Sequence, residues 1–150
     1  MSKRRKNVKQ SIEPLPNRKQ PRGAGLVETI SAGKFGWDTR RAEVVGAFSW
    51  KNCDHTTLLR DVVPKLQECQ SLSWEKLGQN GSHQVLVSNL CKEAQERLKT
   101  HFDPDGNIDR LYSLRISGKQ RIWGFRDRQV LYVLWWDPEH TVCKSQLKYT

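Results

Sequence analysis

Long apolar runs are missing from this chain: no stretch approaches the roughly 20 apolar residues that cross a bilayer, and the N-terminus lacks the apolar core of a secretory signal. No membrane partner is expected, and the expected location is the cytoplasm. Cysteine is sparse and scattered, with Cys53, Cys69, Cys91 and Cys143 far apart and neither a C-x-x-C pair nor a His-x-x-x-His partner. That gives a zinc site little support, and no metal or cofactor is expected. Cys53-Asp54-His55 is the one local Cys/His pairing, and a helix entry beside a small buried thiol accounts for it. Internal repeats and heptads are absent as well.

Acidic residues are nearly absent from the first 22 positions. Lys3, Arg4, Arg5, Lys6, Lys9, Arg18, Lys19 and Arg22 face Glu13 alone, so this stretch holds most of the net charge of +10. Rich in Pro, Gln and Asn and poor in apolar residues, it cannot offset its chain entropy by burial and is expected to be a disordered basic tail. Polyanions such as RNA, DNA or acidic protein are its natural partners; a merely solubilising extension is the alternative.

The remainder has an ordinary globular balance, 28% charged and 36% hydrophobic in 150 residues, enough for one domain with a core. Arg22 to Gly25 reads as a flexible joint, and Gly33 and Gly36 interrupt the next segment. The expected division is a tail and linker over 1–39 and a compact domain over 40–150. Ala42 to Trp50 is enriched in β-formers and predicts a first strand. Asp54 is placed to cap a helix with Leu58, Leu59, Val62 and Leu66 at helical spacing, and Pro64 predicts a kink or a fresh start within it. Ser73 to Leu77 predicts a short helical turn ended by Gly78. A second long helix is expected from Ser88 through Leu90, Ala94 and Leu98.

His101 to Asn107 punctuates strongly as a turn. Strands are then predicted at about 111 to 117, 121 to 126 and 130 to 136, with a short fourth through Val142. The expected fold is α+β: an N-terminal strand, two helices on one sheet face, then a three- to four-strand antiparallel meander.

The chemistry-bearing residues concentrate in that meander. Arg115, Lys119, Arg121, Arg126, Arg128 and His140 are the candidates, several inside strands rather than in turns. An arginine fork donates two parallel hydrogen bonds to phosphate and stays charged at any working pH. Alternation on a half-wet sheet explains each arginine about as well. Trp123, Tyr132, Trp135 and Trp136 suit base stacking, although large aromatics mostly build cores; Trp123 is the one kept as a substrate-binding candidate. His140, at a strand end beside Glu139, can move a proton near neutral pH. Register is open. A three-residue loop at Gly118 to Gln120 sets Arg115, Arg121 and Trp123 on one face, whereas a two-residue loop at Gly118-Lys119 turns Arg115 and Arg121 to opposite faces.

The run LRISGKQRIWGFRDRQVLYVLWWDPEH, with this element order, resembles the bacterial RelE/ParE-like toxin superfamily of type II toxin-antitoxin systems. Leu114-Arg115, Gly118, Arg121-Ile122, Val130 to Trp136 and His140 occupy the places of its pattern, over about residues 42 to 145. The resemblance implies a metal-independent endoribonuclease acting on messenger RNA at the ribosome and neutralised by an antitoxin. It implies that Arg121 clamps the phosphate, Arg115 assists and His140 is the general acid, with Lys119, Arg126, Arg128 and Trp123 contacting substrate. Asp105 or Asp109 stands only loosely for a carboxylate base. The superfamily also includes gyrase poisons, so the fold does not fix the reaction. The alternatives are a non-catalytic RNA-, DNA- or ribosome-binding module on the same sheet and a protein-docking surface built on the Trp pair.

Overall fold

The structure, a computed structural model, describes residues 34–144; the basic tail and the 22–25 joint lie outside them. The described chain is α+β around a five-stranded, mostly antiparallel sheet.

Strand β1, Gly36–Asp38, falls in the stretch assigned to the linker, so the folded unit begins ahead of residue 40. Phe35 is fully buried beside it, and the Gly36 N–H donates to the Gln129 carbonyl at 2.9 Å. Residues 42 to 50, predicted as a strand, form an irregular segment instead. The Glu43 N–H bonds the Leu134 carbonyl and the Phe48 carbonyl accepts from Trp136, so the segment runs beside a strand. A regular ladder is broken between these contacts by Gly46 at φ 90° and by the ion pair of buried Glu43 with Arg97.

Helix α1 spans 55–70 in three segments, His55–Thr57, a wider π-helical stretch Leu58–Val62, and Val63–Gln70. Asp54 caps it as expected, its carboxylate accepting from Thr57 N and Oγ1, each at 2.8 Å. Pro64 brings the predicted irregularity as a widened turn: the Val63 N–H reaches back five residues to the Leu58 carbonyl, which accommodates the donor that proline lacks. Helix α2, Trp74–Gly78, begins at Ser73, whose hydroxyl accepts from the Lys76 N–H.

Strand β2, His83–Leu86, lies between the helical turn predicted to end at Gly78 and the helix predicted from Ser88, where no element was expected. Ser88 falls in a short 3-10 turn, Val87–Asn89, and helix α3 starts later, Lys92–Arg97 continuing as a π-helical turn Leu98–Phe102. Strands β3, Arg110–Ser117, β4, Gln120–Asp127, and β5, Val130–Asp137, form the expected meander. Val142 belongs to no strand; its carbonyl accepts from Cys91 and its N–H donates to Asp137.

The sheet order is β1-β5-β4-β3-β2, with β1 parallel to β5 and every other pair antiparallel. Helices cover both of its faces rather than one. Tyr112, Leu114, Ile122, Val133 and Trp136 pack against Val62, Leu66 and Leu77 of α1 and α2. Leu111, Trp123, Leu134 and Trp135 pack on the other face against Leu90, Ala94 and Leu98 at α3. The cause lies in β5, which is apolar on both sides, and in a register shift opposite Trp123/Gly124 that leaves Leu134 unpaired and turns it to the side of Trp135. A strand greasy on both faces requires cover on both.

Candidate functional site

The β3-β4 turn has two residues, since Ser117 pairs with Gln120, and Gly118 takes φ 50° as its first central position. That loop alone would send Arg115 and Arg121 to opposite faces. A register shift between Arg115 and Ser117 skips Ile116 and brings Arg115 directly opposite Arg121. Bulges re-aim side chains in this way. Arg121 in turn stands opposite Asp137 of β5, so one row across the turn end of the sheet reads Arg115, Arg121, Asp137. The row lies on the face that carries α3, beyond the Trp123-Trp135 row.

Like charges opposed on a sheet destabilise it. Neither Arg115 nor Arg121 has a salt bridge among the described residues. Burial, then the neighbouring Arg115 charge, lowers the Arg121 pKa from its usual value. One nitrogen of Arg121 donates to the carbonyls of Gly118, at 2.6 Å, and Gln120, at 3.0 Å, which fixes the side chain over the turn. Arg115 is exposed, and its stem packs on the Gly81 backbone.

Asp137 organises the neighbouring turn. Its carboxylate, 1% exposed, accepts from Trp123 Nε1 at 3.0 Å, Thr141 N at 2.8 Å, Thr141 Oγ1 at 3.1 Å and Val142 N at 3.0 Å. Those bonds fold the chain back after β5 and hold His140 at φ 58°, a left-handed conformation that costs a non-glycine residue about 1 kcal/mol or more. Burial, and next the Arg121 charge, lower the His140 pKa, with Asp137 opposing and His83 adding to the effect. The neutral imidazole, which accepts a proton, is thereby favoured.

Three of the candidates, Arg115, Arg121 and His140, therefore sit together. Lys119 is close by, 4.0 Å from Glu139 across the two turns. Trp123 shares the face but is 0% exposed and bonded to Asp137, so it offers no stacking surface; it is a core residue. Arg126 points to the opposite face, its guanidinium 4.2 Å from the Trp74 ring centroid. Arg128, at φ 54°, lies in the β4-β5 turn at the far end of the strands. Neither joins the cluster. Asp109 precedes β3, at the end away from Arg115, and Asp105 lines a separate cavity with Gln95 and Lys99.

Sequence reading missed His83. It stands on β2 opposite Ser113, one diagonal step from Arg115 and on the same face, and its side chain is exposed. Its strand is four residues long, too short for a periodic signal in the sequence. No three His, Cys, Asp or Glu side chains group as metal ligands among the described residues. No family model, curated protein or solved structure matches the chain.

Proposed function

We propose that this protein is a RelE-like, metal-independent endoribonuclease that acts on messenger RNA, with the ribosome as its setting and an antitoxin as its inhibitor. The observation that carries the reading is the cross-strand Arg115-Arg121 pair, opposed on one face with no salt bridge among the described residues and with His140 beside it. Two opposed guanidiniums outweigh the single Asp137 carboxylate in their row and favour an added anion, and their forks suit phosphate oxygens. A phosphodiester seated there puts its phosphorus among groups that stabilise negative charge, with an imidazole in reach to move a proton. RNA supplies its own nucleophile in the ribose 2′-OH, so neither a metal nor a protein nucleophile is required by this chemistry.

The test is cleavage of messenger RNA by purified protein, alone and in a translating extract. Wild type is expected to cut, with Arg121→Ala and His140→Ala losing about 100-fold or more in rate, the usual worth of such groups. Equal cutting by the variants, or an intact message in both settings, sinks the reading. A non-catalytic nucleic-acid-binding module is the second reading, favoured by the engagement of Arg121 with its own turn carbonyls. It expects salt-sensitive RNA binding with no cleavage under any condition.

A further inference from the structure

Strand scission through the 2′-OH needs two proton transfers, one from the nucleophile and one to the leaving 5′-oxygen. His140 supplies one. The carboxylates near the arginines cannot readily supply the other, because Asp137 is buried with both oxygens taken by four donors and Glu139 faces Lys119. Asp109 precedes a strand in which Arg115 is the sixth residue, so it lies on the order of 20 Å away at 3.4 Å per residue.

We propose that His83 is the second proton-transfer group of this site, paired with His140 around the Arg115-Arg121 row. The inference rests on the ribonuclease reading and adds a catalytic residue to it. Strand β2 sets His83 opposite Ser113 and diagonal to Arg115, on the face that Arg115 and Arg121 share. Diagonal neighbours on a sheet face lie about 7–8 Å apart, within reach of long side chains. Its Nδ1 is 3.3 Å from the Gly81 carbonyl. A carbonyl only accepts, so that bond places a hydrogen on Nδ1 and leaves Nε2 to exchange a proton with substrate. Gly81 itself sits at φ 85° against the Arg115 stem, so one loop residue positions both the imidazole and the guanidinium.

The surroundings of His140 suit it to the role of base, and the remaining proton transfer then falls to His83. His140 is partly buried, faced by Arg121 from β4, Asp137 from β5 and His83 from β2, and it is held toward its neutral form. His83 is exposed, with Arg115 on β3 beside it and Lys144 and Arg110 along the groove that continues down the β2 edge. His140 therefore takes the 2′-OH proton as the 2′-oxygen bonds to phosphorus. The bond from phosphorus to the 5′-oxygen breaks, and His83 imidazolium delivers its proton to that oxygen. The products are a 2′,3′-cyclic phosphate and a free 5′-OH, and the two rings return to their starting states through water. This reverses the role that the resemblance gives His140.

A short oligonucleotide with a single ribonucleotide tests the pairing, made once with the natural 5′-oxygen and once with sulfur bridging at that position. A thiolate leaves without protonation, so it bypasses the acid and not the base. On the oxygen substrate, His83→Ala and His140→Ala are each expected to lose about 100-fold or more. On the sulfur substrate, His83→Ala is expected to recover to within a few fold of wild type while His140→Ala stays slow. Unimpaired cleavage of the oxygen substrate by His83→Ala overturns the proposal, as does failure of sulfur to rescue it while urea melts show the variant folded. In both of those outcomes loss of activity in Arg121→Ala and His140→Ala leaves the ribonuclease reading standing. Wild type that cuts neither substrate, alone or in a translating extract, overturns both.

Discussion

Asp137→Ala is the most demanding perturbation of this architecture. The carboxylate accepts four hydrogen bonds while 1% exposed, and its removal strands the Trp123 indole N–H and the Val142 N–H in a buried environment. An unsatisfied buried donor costs about 1–3 kcal/mol, and the bonds lost at Thr141 add a smaller amount because that residue is exposed and water replaces them. The contributions share one carboxylate and do not simply add, so the expected total is roughly 3–5 kcal/mol. With a urea slope of about 2 kcal/mol per molar, the midpoint falls by roughly 1.5–2.5 M with little change in slope. Asp137→Asn keeps the shape and one acceptor oxygen but turns an amide N–H toward a donor, for an expected loss of about 1–3 kcal/mol. Equilibrium urea unfolding followed by tryptophan emission measures both. A loss under about 1 kcal/mol for Asp137→Ala would refute the reasoning, since it would mean that the four donors find water or other partners at no cost.

The pH dependence of stability has a definite sign at His140. Its native pKa lies below the usual value, so the unfolded chain binds that proton more readily, and the stability it confers is full above about 6.5 and lost as pH falls through the lowered native value. Urea midpoints from pH 7.5 down to 5 are expected to fall more steeply for wild type than for His140→Gln; equal slopes contradict the assignment. Gly46→Ala is expected to cost more than about 1 kcal/mol, because φ is 90° and the Arg97 guanidinium fills the space a Cβ needs; calorimetry showing an unchanged melting temperature refutes this. Arg126→Ala is expected to leave RNA cleavage within twofold of wild type and to cost about 0.5–1 kcal/mol through the lost contact with Trp74. A large loss of cleavage would place Arg126 at the site after all.

What could be read from the residues alone divides along physical lines. The meander was legible to within about a residue because its apolar runs end at turn-forming residues, and the Asp54 cap was legible because its short side chain has one obvious use. Strands β1 and β2 were not, being three and four residues long, too short for a periodic signal and stabilised by their neighbours in the sheet. Residues 42 to 50 misled in the opposite direction. Their β-forming composition is real, but Gly46 and the Glu43-Arg97 pair hold them out of a ladder. The second covered face was concealed because covering it depends on a bulge at Leu134 that no composition announces.

The site shows the same division. Arg115, Arg121 and His140 were recognisable as residue types, but their convergence rests on the skipped Ile116, which neither of the two simple loop registers contains. Trp123 could not be separated from a stacking surface without knowing that Asp137 buries its indole N–H. His83 was overlooked because its strand was.

The proposed chemistry is scission of RNA phosphodiesters through the 2′-OH at the turn end of this sheet. End-group analysis of a defined message incubated with the protein in a translating extract tests it most directly. Fragments ending in a 2′,3′-cyclic phosphate with a free 5′-OH on the downstream piece are expected, and both are lost together in Arg121→Ala. An intact message, or fragments carrying 5′-phosphates, would contradict it.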